Sequence, residues 1–273
     1  MAFELEFWGV RGSIACPSPA HVKFGGNTSC IEVRAGEARI ILDAGTGLRV
    51  LGNSFLEQDV RNAWLLLTHT HWDHINGFPF FKPAYTRGCR FSIMAGHLQK
   101  GGVREVLAGQ MTGPTFPVPL EAMRAELDFE DFDAGDSFNL GASVRVRTAS
   151  LNHPNGATGY RIEHAGKAFC YVTDTEHVVD QPDQNVLSLI EGADLVVYDS
   201  TYTDEEFDKH VGWGHSTWQE AVRLGKQASV KRLAIFHHDP DHDDEFMERV
   251  EAEARGAWDA AFVARERAVV TLA

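Results

Sequence analysis

The sequence of 273 residues predicts an α+β sandwich, with two mixed β-sheets packed face to face and helices on the outside in four αββα layers. Three observations predict it. Short apolar runs of strand length alternate with turn clusters through both halves of the chain. Each β-rich half is finished by helices. The apolar runs also stop at polar, chemically able side chains, the usual arrangement where a rigid sheet presents function on its loops.

The first strands are expected at Phe3 to Trp8, Cys30 to Arg34, Ala38 to Leu42 and Ala63 to Leu67. Ile40-Ile41-Leu42 stops at Asp43-Ala44-Gly45-Thr46-Gly47, and Trp64-Leu65-Leu66-Leu67 stops at Thr68-His69. From Pro79 to Gly141 the pattern is least regular, with Gly101-Gly102, Gly113-Pro114 and Pro117-Val118-Pro119. This stretch reads as a long connection, either a lid or substrate-side wall or a plain insertion. Strands resume at Val144 to Thr148, Thr158 to Glu163, Ala168 to Val172, Ala193 to Tyr198 and Arg232 to Phe236, with helices at about Thr217 to Ala228 and Asp243 to Ala257. With no repeat and no linker, residues 1–273 are expected to form one domain.

The chain carries 39 acidic against 25 basic residues, a formal charge of −14, which opposes a polyanion unless a metal or a local basic patch intervenes. Long nucleic acid is therefore not the expected partner. Cys16, Cys30, Cys89 and Cys170 are dispersed without a C-x-x-C pair and read as reduced, mostly buried thiols. The opening Met1-Ala2-Phe3-Glu4-Leu5-Glu6-Phe7 has two acids and no long apolar run, so neither signal peptide nor membrane span is expected, and the expected location is cytoplasmic.

The chemistry concentrates in Thr68-His69-Thr70-His71-Trp72-Asp73-His74, three imidazoles and a carboxylate directly after an apolar strand. These donors suit zinc, iron or manganese. His69 and His71 share one side of extended chain while Asp73 and His74 lie where it turns, so the four can serve two ions. A solvated His-rich loop would account for the composition but not for its place at a strand end.

H-x-H-x-D-H after a hydrophobic strand resembles the signature of the metallo-β-lactamase superfamily. Other positions resemble that family in order: Asp43 in Leu42-Asp43-Ala44-Gly45, His153 in Asn152-His153-Pro154, Asp174 in Val172-Thr173-Asp174-Thr175, and His237 after Leu233-Ala234-Ile235-Phe236. The resemblance implies the family's αββα fold and two divalent ions, zinc favoured with manganese or iron as alternatives. It implies that His69, His71 and His153 hold one ion and Asp73, His74 and His237 the other, with Asp174 bridging. A hydroxide between the ions would be the nucleophile, with Asp73 in the catalytic group. Asp43 would stand behind a ligand His and accept its ring N–H. Of three neighbouring imidazoles, His237 matches best, leaving His238 and His242 exposed or supporting. His21, His97, His164, His177 and His210 belong to no motif and read as surface or structural.

Gly214-His215-Ser216-Thr217 resembles the H-S-T element of the ribonuclease Z branch and its small phosphodiesterase relatives, which makes His215 the candidate general acid. Ser216 or Thr217 can also cap the following helix. Trp8-Gly9-Val10-Arg11-Gly12-Ser13 and Gly25-Gly26-Asn27-Thr28-Ser29 resemble elements of the same branch, with Arg11 and Asn27 as candidate donors to a phosphate oxygen or as ordinary turn residues. Only 21 positions separate His153 from Asp174, too few for the RNA-binding arm typical of ribonuclease Z. The expected substrate is therefore a small phosphodiester, a cyclic nucleotide among the candidates. Trp72, Phe78, Phe80, Phe81 and Trp213 can supply stacking walls or core. A lactonase, thioesterase or β-lactamase would use the same donors on a carbonyl, and a non-catalytic metal- or ligand-binding protein would keep the scaffold alone. Oligomeric state is open, and a homodimer is compatible.

Overall fold

The computed structural model describes residues 3–98 and 100–272, so both extremes of the expected 1–273 domain lie outside the described residues. The first sheet is built from β1 (Phe3–Gly9), β2 (Cys30–Ala35), β3 (Ala38–Leu42), β4 (Asn62–Leu67), β5 (Arg90–Ala95) and β6 (Glu126–Asp131). The second contains β7 (Ser137–Leu140), β8 (Val144–Leu151), β9 (Ala157–His164), β10 (Lys167–Val172), β11 (Leu195–Asp199), β12 (Leu233–Phe236) and β13 (Ala261–Val263). The last strand, β14 (Val269–Thr271), returns to pair with β1. Among the described residues both sheets are seven-stranded, in the orders β14-β1-β2-β3-β4-β5-β6 and β13-β12-β11-β10-β9-β8-β7. Each is mixed: β3 to β6 and β10 to β13 run parallel, the remaining pairs antiparallel.

The strand sequences explain the layering. Ile40 and Leu42 point into the core between the sheets, with Phe7, Val33, Tyr160, Ile162 and Val197, whereas Ile41 points outward to a second core. Leu66 likewise faces inward while Leu65 and Leu67 face outward. A strand buried on both faces needs a continuous apolar run, which is why these segments show no polar alternation. Helices α1 (Gly47–Glu57) and α3 (Val103–Gln110) cover the first sheet, and α4 (Gln184–Ile190), α6 (Trp218–Gln227) and α7 (Asp244–Ala257) the second. Two short helices, α2 (Trp72–Ile75) and α5 (Asp204–Phe207), follow β4 and β11. The last two long helices match the expected spans because both start at side-chain caps: Thr217 accepts from Glu220 N–H and Asp243 from Phe246 N–H.

The stretch from Pro79 to Gly141, read as a long connection, carries regular structure. Its described residues supply β5, β6 and β7, three strands of the two sheets. Edge position hides β6 and β7: β6 reads Glu-Leu-Asp-Phe-Glu-Asp with no fully buried residue. Helix α1 also escapes pattern reading because Gly47 and Gly52 lower its helix propensity. Both are packing requirements, since a Cβ would stand 2.4 Å from Trp8 O at Gly47 and 2.9 Å from the Phe81 ring at Gly52. All four cysteines are free, and three are buried. No described helix is long and apolar enough to cross a membrane.

Candidate metal centre

The donor-bearing residues lie at the carboxyl ends of strands, where open α/β sheets place their ligands. Asp43 follows β3, His69 follows β4, His153 follows β8, Asp174 follows β10 and His237 follows β12. Asp43, Asp174 and His237 all adopt left-handed backbone, with φ of 61°, 60° and 63°. Such conformations are costly for non-glycine residues and persist where surrounding contacts impose them. Here they turn each side chain back toward the gap between the sheets.

Two nests result. His69, His71 and His153 bring donor atoms within 4.8 Å of one another, as do Asp73, His74, Asp174 and His237. Asp174 joins them: Oδ1 faces His69 Nε2 at 3.6 Å and His153 Nε2 at 3.8 Å, while Oδ2 faces His74 Nε2 at 3.2 Å and His237 Nε2 at 3.3 Å. In the second nest, His74 Nε2 is 3.2 Å from Asp73 Oδ2 and 3.3 Å from His237 Nε2, which is itself 3.3 Å from Asp73 Oδ2. Four tetrahedral donors at about 2.0–2.1 Å from a zinc ion would stand about 3.3 Å apart.

The outward nitrogens decide what points inward. His74 Nδ1–H donates to Asp43 at 2.9 Å, and His153 Nδ1–H donates to Gly214 O at 2.8 Å. The Thr201 hydroxyl donates to Asp199 Oδ1 at 2.7 Å and so accepts from His237 Nδ1–H at 3.0 Å. Thr68 donates to Asp43 and accepts from His69 Nδ1–H at 3.1 Å. Four rings therefore aim lone pairs at the gap. His69 Nε2 is buried with no hydrogen-bond partner, and the His74 and His237 lone pairs confront each other. A cation resolves both, so the residues fit divalent metal ions. Burial opposes the charges of Asp73 and Asp174, but the His74 and His237 rings, when protonated in the absence of a cation, outweigh it and hold both carboxyls well below the usual range.

His215 lies beside the nests, its Nδ1 2.9 Å from Asp199 Oδ2 and 3.9 Å from Asp174 Oδ1. Burial opposes its protonation, yet Asp199 first and Asp174 after it raise it to about 9. Divalent cations nearby would pull it back down. The His215 loop is tied down from one side by Glu176, whose Oε2 accepts from Gly212 and Gly214 N–H. His177 reaches Ser216 Oγ at 2.8 Å from behind.

Several sequence expectations are corrected. Arg11 has no exposed surface, and its guanidinium donates to the carbonyls of Gly25, Asp239 and His242, clamping the first turn to the loop after β12. Asn27 is held by Glu266 through both its backbone and side-chain N–H groups. Both tie turns together, the ordinary-turn alternative for each. The neighbouring glycine and serine do meet the site: Ser13 N–H donates to Asp73 Oδ2 at 2.8 Å, and Gly12 leaves room for the His237 ring. His238 and His242 are buried rather than exposed, bonded to Ala264 O and Glu206. Phe78 and Phe81 are core, while Trp72, Phe80 and Trp213 are exposed. Asp199 went unnoticed in the sequence, although it ends an apolar run, Leu195 to Tyr198, as Asp43 ends Ile40 to Leu42.

This fold and this donor set define a metal-dependent hydrolase. The chain belongs to the beta-lactamase superfamily, whose domain matches residues 38–238. A Ribonuclease Z from Natronomonas pharaonis is 24% identical over 87% of this chain and 87% of its own length. Another, from Haloarcula marismortui, is 23% identical over 97% and 95%. Three solved structures share the fold: the metallo-beta-lactamase fold protein YhfI from Bacillus subtilis (TM-score 0.73, 16% identity, 99% of both chains), a diphosphatase from the PhnP family (0.72, 16%, 99% and 98%) and the short form of human tRNase Z (0.67, 21%, 98% of both). With these relatives, the donor set supports hydrolysis of phosphodiesters.

Proposed function

We propose that the chain is a dinuclear phosphodiesterase acting on a small phosphodiester, a cyclic nucleotide being one candidate. His69, His71 and His153 would hold one ion and Asp73, His74 and His237 the other, with Asp174 giving one oxygen to each. Zinc is favoured by affinity order over manganese or iron. Bound there, such ions supply Lewis acidity and an ionised water at neutral pH. The chain itself supplies the proton. His215, oriented by Asp199, donates to the departing oxygen, and Asp43 and Thr201 keep His74 and His237 aimed inward.

The observation that carries this reading is the His215–Asp199 pair 3.9 Å from the shared Asp174. A proton donor held there serves an alkoxide leaving group. Turnover of bis(p-nitrophenyl) phosphate by protein loaded with Zn²⁺ or Mn²⁺ tests it, alongside lactone and thioester panels. Diester turnover exceeding ester turnover is expected; the reverse order would assign the site to carbonyl chemistry.

The relatives named Ribonuclease Z favour a second reading, in which the diester belongs to RNA. Against it stand the −14 charge and the direct β9–β10 connection, where Ala165 and Gly166, both at positive φ, close the hairpin and no arm protrudes. Cleavage of a precursor tRNA at a rate above that of small diesters would establish the RNA reading.

A further inference from the structure

Four consecutive residues after β10 reach the nests or the groups around His215. Asp174 divides its oxygens between the nests. Thr175 N–H donates to Asp199 Oδ2 at 3.2 Å, the same oxygen that His215 Nδ1 approaches to 2.9 Å. Glu176 Oε2 accepts from Gly212 N–H at 2.7 Å and from Gly214 N–H at 2.8 Å, and His177 Nδ1 lies 2.8 Å from Ser216 Oγ. His215 is thus bracketed by contacts at positions 212, 214 and 216. Residues 208–216 form neither helix nor strand, so these contacts supply what regular structure does not. Gly212 and Gly214 stand at φ of 90° and 87°, and their N–H groups converge on one oxygen, as in backbone concavities that bind anions. Here the anion is the chain's own carboxylate, which makes the bonds charge-assisted.

The same residue grips a second loop. Glu176 N–H donates to Asn152 O at 2.7 Å, and Glu176 O accepts from the Asn152 side chain at 2.8 Å. Gly214 O in turn accepts from His153 Nδ1–H at 2.8 Å, so the turn that Glu176 holds packs directly on a donor of the first nest. We propose that Glu176 is a positioning residue for the proton transfer: by holding the 212–214 turn against the His153 loop, it fixes where His215 stands relative to Asp174 and the departing oxygen. This rests on the phosphodiesterase reading above. Among the described residues the Glu176 carboxylate bonds only to these two amides, so it acts through the loop and not on the substrate.

The test compares methyl phenyl phosphate, whose phenoxide leaves as phenol by taking a proton, with methyl p-nitrophenyl phosphate, whose more stable nitrophenoxide leaves without one. Metal-loaded wild type, Glu176→Ala and Glu176→Gln are assayed on both. In Glu176→Ala, displacement of the donor should lower kcat for the phenyl ester about 10- to 100-fold more than for the nitrophenyl ester, with KM unchanged for each. Glu176→Gln, which keeps an acceptor oxygen for the two amides, should recover most of the loss. Elemental analysis should find the wild-type metal content in both variants. The NMR signal of the His215 Nδ1 proton, observed in metal-loaded wild type, should vanish in Glu176→Ala through faster exchange. Equal kcat losses on the two esters would make Glu176 a general structural tie and overturn the proposal, as would an undiminished kcat, or metal loss, which would assign the contact to His153 instead. If wild type turns over neither ester, the phosphodiesterase reading falls; a His215 proton signal that survives in Glu176→Ala then overturns the positioning role as well, and its disappearance upholds that role.

Discussion

Asp43 has no exposed surface, yet it accepts four hydrogen bonds, from Thr68 N–H, the Thr68 hydroxyl, His74 Nδ1–H and the Tyr171 hydroxyl. Removing the carboxylate strands several buried donors at once. Asp43→Ala should cost about 3 kcal/mol in urea unfolding, and metal affinity should fall roughly 10- to 100-fold because His74 loses its orienting partner. Unchanged stability would mean that His74 is held by packing alone. At His215 the expectation is the opposite division: His215→Ala should lower kcat by about 10²- to 10⁴-fold while elemental analysis finds the metal content of wild type. Asp199→Asn, which keeps a hydrogen-bonding group but not the charge, should lose less. Metal loss in His215→Ala would make the residue a ligand instead of a proton donor.

At the scale of elements, the site depends on close approaches between loops that belong to different strands. The segment after β1 passes so near β12 that a Cβ on Gly12 would stand 2.3 Å from the His237 ring. Neither side can yield easily, because Ser13 N–H is bonded to Asp73 and His237 to Thr201. Gly12→Ala should therefore destabilise the fold by about 1–3 kcal/mol and reduce bound metal, both measurable on one preparation by thermal unfolding and elemental analysis. Normal metal content in this variant would show that the β1 loop moves independently of the nest. Helix α6 makes a simpler case. Thr217 caps it, and Thr217→Ala should cost about 1 kcal/mol, read as a shift in the urea midpoint with no change in slope.

At the scale of the molecule, the two sheets meet over the nests, and imidazoles and carboxylates from both are pressed together there. Ions that bind only the folded chain stabilise it by mass action, about 3–4 kcal/mol at 100 to 1,000 times Kd. Chelation should thus lower Tm by several degrees, and added Zn²⁺ or Mn²⁺ should restore it. A Tm indifferent to both would leave the nests without a cation. Much of this architecture is legible along the chain: apolar runs buried on two faces, and the residue type at which each run stops. Those features are encoded within five or six consecutive residues, so His69 to His74 stand out without coordinates, while His153, Asp174 and His237 are found through their resemblance to the family's motifs. The edge strands β6 and β7 do not stand out, because a strand half-exposed at the rim carries little apolar signal. Side-chain direction is not legible either. That Arg11 turns inward to three carbonyls, that Asp199 orients His215 and that Asp174 divides its oxygens between two nests follow from how the sheets close. His74 and His237 face each other across 163 positions of sequence, and no local pattern encodes a contact made only when two separately formed sheets pack.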